Sequence, residues 1–429
     1  MNPAANRRPT DAAGRASLAI DHLRAVVILL VLAFHSVLAY LSFLPHHPFA
    51  LASAGMMWRA FPIVDSHRFI GFDLFCAWLD VFLMSFFFML SGLFVWPSLE
   101  RRGAATFLAD RLLRIGLPFA VVVLLLMPPT QYATYLQSAA HPSVAGYWRL
   151  LLSLPVWPAG PMWFLWPLLV GDALVAALYQ LLAGRRGFVL RLSVFARRRP
   201  AVFLAGVAIA SALAYVPLAL VFGIEAWFQR GPFGFQLCRP AHYAVYFFAG
   251  VAIGACGIER GLLAADGPLA QHWRAWLLAA PPLFLLWCGL TDLAMHDGAA
   301  ASIGLRILAD LSFVAACFAS CCMAFAVALR FSRRRGPLLD SLKRNAYGMY
   351  LVHYSFVVWL QFALLGFAWP AVAKAALVFL GTVAASWSLS AALCRVPAVA
   401  QVIGGGRRAA ASSRGSASPR PGVPGLARH

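Results

Sequence analysis

Leu18-Ala-Ile-Asp21-His22-Leu23-Arg24-Ala-Val-Val-Ile-Leu-Leu-Val-Leu-Ala-Phe34-His35-Ser36-Val-Leu-Ala-Tyr40-Leu-Ser-Phe-Leu44 is the stretch that decides the fold. An apolar run of about 20 residues is long enough to cross a bilayer as a helix. Ionisable side chains inside such a run are expensive to bury, so Arg24 and His35 are functional candidates from the outset. They are eleven residues apart, which on a helix is three turns plus roughly 20°. Both side chains therefore share one helix face, about 16 Å apart along the axis, with Ile28 and Val31 between them. Taken alone, Arg24 is equally a snorkelling anchor, and a packing role for His35 is the lesser alternative. The pair on one face favours chemistry without naming a reaction.

Composition points the same way. The chain has 429 residues, 62% of them hydrophobic and 12% charged, against about 25% charged in soluble domains. An all-α integral membrane protein follows. The net charge of +20 is no sign of nucleic acid, because the arginines cluster between apolar runs and in the tails. There they act as topology signals and as contacts to anionic lipid heads. The eight cysteines form no metal pattern: Cys317, Cys321 and Cys322 share one apolar run, and Cys256, Cys288 and Cys394 lie in or at the ends of others. No metal is expected. The first apolar run is too long for a cleavable signal peptide.

About ten spans are expected, near residues 18–44, 72–97, 117–136, 161–183, 200–223, 240–258, 275–293, 306–330, 346–366 and 370–394. Arg101, Arg102, Arg111 and Arg114 follow the second. Arg185, Arg186, Arg191 and Arg197 to Arg199 follow the fourth, and Arg330, Arg333 to Arg335, Lys343 and Arg344 the eighth. By the positive-inside rule both termini are cytoplasmic. Residues 1–16 and 398–429 are expected as disordered basic tails around a membrane domain over 17–397. The outward loops mix aromatic and polar residues, among them Trp58, Arg59, Trp148, Trp157, Trp227 and Arg230. Such a mixture serves either an interfacial belt or sugar binding.

Further polar groups lie inside the spans. Asp73 and Asp80 share a face of the second, and the depth of Asp80 matches that of His35. A carboxylate there would orient the imidazole and raise its basicity; alternatively Asp80 lines a wet cavity and never meets it. Asp172 and Asp310 are weaker candidates. His353, counted from a span beginning at 346, falls about 12 Å from the cytoplasmic edge, at a different depth from His35. No nucleotide-binding loop is present, and Gly250-Val-Ala-Ile-Gly254 is a helix-packing motif.

Five stretches in order resemble acyltransferase family 3, the membrane O-acyltransferases of bacterial surface glycans. They are Arg24 with His35 after ten residues, Phe86-Phe-Phe-Met-Leu-Ser91-Gly92, Phe107-Leu-Ala-Asp-Arg111-Leu-Leu-Arg114-Ile-Gly-Leu-Pro118, Trp163-Phe164-Leu165 and Ala346-Tyr-Gly-Met-Tyr350-Leu-Val-His353. Within the family the opening motifs are most similar to the glucan succinyltransferase (glucans biosynthesis protein C) branch. Members often carry a basic residue before the F-F segment, where this chain has Leu83 and Met84.

The resemblance implies a ten-helix core in a bacterial inner membrane. It implies transfer of an acetyl- or succinyl-type group from cytoplasmic acyl-CoA to a hydroxyl of an extracytoplasmic glycan or lipid-linked saccharide. Acyl-CoA would be a substrate, with no bound cofactor. His35 would be the general base with Asp80 and His353 as catalytic partners. Arg24, Arg111 and Arg114 would bind donor phosphates, with Ser91 and Trp163 also in the binding site. Ser91-Gly92 suits a close-packing or helix-break role better than a nucleophile. The rival reading is a proton-coupled transporter or flippase of a lipid-linked sugar, although no internal repeat supports it.

Overall fold

In the computed structural model, residues 9–53, 55–181, 187–332 and 336–404 are described. Arg7, Arg8, Arg185, Arg186, Arg333 to Arg335 and the tail from 405 onward lie outside them. Ten helices carry the architecture: α1 (Pro9–Val37), α2 (Ile70–Gly92), α3 (Ala104–Ser138), α4 (Gly160–Leu181), α5 (Pro200–Phe222), α6 (Pro240–Ala255), α7 (Trp273–Asp297), α8 (Ile303–Phe331), α9 (Pro337–Ala363) and α10 (Ala371–Leu393). Among the described residues, eight helices are long and apolar enough to cross a membrane; α6 is a shorter apolar helix of 16 residues. The other expected span, α9, is 27 residues long but interrupted by His353 and by a polar first part. The chain is an all-α, multi-pass membrane protein.

Burial separates core from periphery. In the apolar stretches of α1 and α8, 61% and 67% of the residues are buried, against 11% for α7. Helix α1 packs against α2, α8, α9 and α10 together, so the stretch with Arg24 and His35 runs through the middle of the bundle. Outer helices turn large apolar side chains such as Leu213, Leu278 and Leu380 outward, as lipid-facing surfaces do. Gly92, Gly250 and Gly254 bring α2 and α6 into backbone contact: a Cβ on Gly92 would lie 2.2 Å from the Phe247 carbonyl oxygen. The G-x-x-x-G segment is thus a packing surface.

Two prolines-in-helix problems shape α3. A proline cannot donate to the carbonyl one turn back, and its ring crowds that carbonyl. The helix widens to π turns at Leu112–Gly116, before Pro118, and at Val122–Leu126, before Pro128 and Pro129. The carbonyls left over find other donors. Tyr347 Oη on α9 donates to Arg114 O at 2.5 Å, and Trp157 Nε1 donates to Val123 O at 2.8 Å. These two bonds tie α3 to α9 and to the loop before α4.

One departure from the expected all-helical chain lies between α5 and α6. There β1 (Trp227–Arg230) and β2 (Phe233–Gln236) form an antiparallel hairpin, with Phe228 opposite Phe235. Gly231 opens the two-residue turn at φ +53°, a conformation glycine adopts without steric cost. The hairpin is joined to the loop before α4 by Trp157 N–H to Gly231 O at 2.9 Å. Helix α1 also starts at Pro9, within the segment expected as a tail, although residues 1–8 lie outside the described ones.

The hairpin end of the bundle and the opposite end, rich in arginine, have different character. At the arginine-rich end Lys343 of α9 is ion-paired to Asp21 of α1. Near the hairpin end Asp65 of the α1–α2 loop pairs with Lys374 of α10 at 2.7 Å, both fully buried, and with His67 at 3.0 Å. Lys374 is a residue that sequence reasoning passed over; a lone lysine inside an apolar run was the available signal.

Candidate active site

His35 and His353 meet. His353 Nε2 lies 3.3 Å from His35 Nδ1, and the ring centroids are 5.1 Å apart. The expected difference in depth is therefore corrected. The helix carrying His353 begins at Pro337, nine residues earlier than its apolar run suggests, because Asp340, Lys343, Arg344 and Asn345 mask its first turns. Depth counted from 346 was counted from the wrong origin. Helices α1 and α9 run parallel, in contact at Asp21 with Lys343 and again at His35 with His353.

The backbone fixes the tautomers. A carbonyl oxygen only accepts, so each imidazole nitrogen that faces one carries a proton. His35 Nδ1 is 2.8 Å from Val31 O, and His353 Nδ1 is 2.6 Å from Tyr350 O. In their neutral forms both rings are protonated at Nδ1. His353 Nε2 then accepts from His35 Nδ1–H, and the lone pair of His35 rests on Nε2. His353 is wholly buried while His35 is partly accessible. The arrangement is a base with an orienting partner, in which a second imidazole stands where a carboxylate is more usual.

The surroundings hold the pair rigid. Gln361 Nε2 donates to the carbonyls of His35 at 2.9 Å and Ser36 at 3.2 Å, which lie in the last turn of α1, where carbonyls lose their intrahelical partners. Phe34 and Tyr354 pack edge-on to His35, and Tyr350 stacks on His353 at 5.8 Å. Tyr350 Oη donates to Pro161 O at 2.6 Å, which brings the start of α4 beside the histidines. Gly160 is needed there, since a Cβ would lie 3.0 Å from the Tyr354 ring.

Asp80 is not the partner of His35. It binds Arg239, with Nη2 to Oδ2 at 2.5 Å and Nη1 to Oδ1 at 3.2 Å. Arg239 comes from the residue before α6, and its guanidinium also lies over the Phe313 ring at 5.1 Å. A shared depth between two helices does not fix their rotation, and the nearest opposite charge claimed the carboxylate. Trp163 contacts the rings of Trp227 at 6.2 Å and Tyr243 at 6.4 Å, in an aromatic group between the hairpin and the bundle.

The remaining candidates gather toward the arginine-rich end. Arg24 lies over the Phe94 ring at 5.5 Å, beside the break that follows Ser91-Gly92, with Asp21 and Arg111 as its charged neighbours. Among the described residues no carboxylate is hydrogen-bonded to it. Arg114 is bonded to Asp110 at 3.0 Å. Arg111 approaches Asp172 at 3.3 Å without hydrogen-bond alignment, which leaves Arg111 Nε and both Asp172 oxygens with bonding capacity unused. The structure thus brings Arg24, Arg111 and Arg114 into one region and His35 with His353 into another, joined by the buried face of α1. Sequence reasoning missed Gln361, Tyr354 and the His242 chain, in which Nδ1 is 2.9 Å from Ser211 Oγ and Nε2 is 3.5 Å from Cys317 Sγ.

Comparison with family models matches residues 17–391 to an acyltransferase domain. Neither the curated proteins nor the solved structures contain a match.

Proposed function

This chain belongs to acyltransferase family 3 and is a membrane acyltransferase, and we propose that His35 is the general base of its transfer step. The donor is acyl-CoA, bound on the cytoplasmic side of a bacterial inner membrane. The acceptor is a hydroxyl of a glycan or lipid-linked saccharide on the other side. The observation that carries this reading is the contact of His35 Nδ1 with Val31 O at 2.8 Å, which assigns the ring proton to Nδ1 and the lone pair to Nε2 of a half-buried imidazole.

The chemistry follows from that atom. His35 Nε2 takes the acceptor hydroxyl's proton as the oxygen attacks the thioester carbonyl. The new C–O bond forms, the C–S bond breaks, and the thiolate leaves and recovers the proton. A positioned base contributes about 10²–10⁴-fold. The cation that forms on His35 is held by Nδ1–H, shared between Val31 O and His353 Nε2. His353 acts through His35 as a positioning residue. Arg24, with Arg111 and Arg114, offers forked guanidinium groups to the donor's phosphates, and the unbonded Nε of Arg111 supports a docking role there. The 16 Å or so between Arg24 and His35 is a length that an extended thioester arm can span.

The test uses protein purified into lipid nanodiscs. Acyl-CoA and an oligosaccharide acceptor should release free thiol together and not separately. Resemblance to the glucan succinyltransferase branch makes a glucan with acetyl- or succinyl-CoA the first pair to assay. Binding or movement of saccharide with no thiol release from any acyl-CoA would contradict the reading.

A further inference from the structure

The loop between α1 and α2 sets one cation, Arg59, between the hairpin and Tyr354, whose ring packs against His35. Arg59 ends the single turn Met57–Arg59, which is anchored by its neighbour Trp58. Trp58 is wholly buried in an apolar cluster with Tyr135, Tyr147, Leu151 and Val156. From this anchor the guanidinium reaches the hairpin. Its Nη1 donates to Gln229 Oε1 on β1 at 2.5 Å, and its Nη2 passes Gly234 on β2, where a Cβ would lie 3.5 Å away. On the bundle side its electrostatic neighbour is Tyr354, whose ring packs edge-on to His35 at 5.3 Å. The aromatic pair of Trp163 and Trp227 belongs to the same hairpin seat.

The partners of Arg59 do not match its charge. Gln229 supplies one neutral oxygen to a group with five donors. Among the described residues, no carboxylate is hydrogen-bonded or ion-paired to it. Burial pulls the guanidinium below its usual pKa, and the Tyr354 phenol opposes that shift; an arginine remains charged regardless. A cation partly withdrawn from water and left without an anion carries an uncompensated desolvation cost. A planar guanidinium fork is also the geometry that receives a carboxylate or a phosphate in two parallel hydrogen bonds.

We propose that Arg59 and Gln229, on the face of β1 that also carries Trp227, form a subsite for an anionic group of the substrate, a carboxylate or phosphate presented next to the acyl-transfer point. The subsite rests on the reading of His35 as the base, since that is what makes the neighbouring space the transfer point. The anion has two possible sources, the saccharide acceptor or the far end of a dicarboxylic acyl group. Either one places negative charge within reach of the fork while the reacting atoms lie at His35.

Two measurements on the full-length protein in nanodiscs test this. The first compares R59Q and R59K with wild type over four pairings: acetyl- or succinyl-CoA with a neutral or a carboxylated oligosaccharide. R59Q should lower kcat/KM at least about tenfold for pairings that contain the recognised anion and stay within about twofold for the others, with R59K intermediate. A loss that follows succinyl-CoA assigns the anion to the acyl group; one that follows the charged sugar assigns it to the acceptor. Equal loss in all four pairings, or none, overturns the subsite and leaves the acyltransferase reading intact. The second needs no turnover: phenylglyoxal modification of Arg59, read by peptide mass spectrometry, should be slowed by succinyl-CoA or by the carboxylated sugar, and not by acetyl-CoA or the neutral sugar. Absence of protection by either overturns the subsite. Protection in a protein that transfers no acyl group keeps the anion site and removes the reading built on His35.

Discussion

An imidazole takes a proton only at a nitrogen that holds a lone pair, and in His35 two backbone carbonyls and a second histidine leave that role to Nε2. Because His353 acts through His35, the two behave as one unit, and removal of such a unit's members is strongly non-additive. His353→Gln should lower acyl transfer on its own, while His35→Ala with His353→Gln should be within about threefold of His35→Ala alone. Multiplying losses in that kinetic comparison would show two separate roles. Arg24 belongs to the donor side. Arg24→Lys keeps the charge and loses the fork, so the expected result is a raised KM for acyl-CoA with the acceptor KM unchanged. A change confined to the acceptor would move Arg24 to the other substrate. At this scale the sequence was readable where a residue's own helix set its position: eleven residues of α1 put Arg24 and His35 on one face. It was unreadable where a neighbour's rotation decided, so Asp80 went to Arg239 rather than to His35.

Helices in a bilayer must satisfy every backbone group internally, and α3 does so with borrowed donors. Tyr347 Oη serves the Arg114 carbonyl that Pro118 cannot reach. Tyr347→Phe should destabilise the protein by about 1–3 kcal/mol, the cost of an orphaned buried acceptor. Pro118→Ala restores a backbone donor, so the double variant should recover part of that loss in a thermal melt. Strict additivity would mean that the hydroxyl does not replace the missing amide. The buried pair of Asp65 and Lys374 gives a second check at this scale. Lys374→Met leaves a carboxylate buried without its cation, a loss of about 3–5 kcal/mol. Replacing Asp65 by Leu in the same chain should restore most of it; no restoration would place the value of the pair outside its charges. The apolar run of α9 hid the first nine residues of that helix. Its hydropathy starts at Ala346, whereas its hydrogen bonding starts at Pro337, where polar side chains sit on a helix that has its own neighbours at the arginine-rich end.

The described residues form a bundle with two unlike ends, and α1 runs through its middle. The chain's membrane nature and the eight described helices long and apolar enough to span were legible because about 20 apolar residues between arginine clusters have few other solutions. The hairpin was not, since four-residue strands carry little periodic signal and depend on the loop beneath them. The orientation from the positive-inside rule gives a direct prediction. A cysteine introduced by Gly231→Cys in the hairpin turn should react with a membrane-impermeant maleimide in intact cells, whereas one introduced by Arg101→Cys should react only after permeabilisation. The reverse pattern would invert the donor and acceptor sides. All eight native cysteines are buried or half-buried, so their background is low.

The claim on which the rest depends is that Nε2 of His35 takes the acceptor's proton. Mass spectrometry of surface glycans from cells whose only copy of the protein carries His35→Ala, with membrane abundance matched to wild type by blot, tests it most directly. Acylation should fall at least about 100-fold, the low end of what a positioned general base supplies, with no loss of inserted protein. Near-normal acylation at equal abundance would remove His35 from the transfer step and contradict the account.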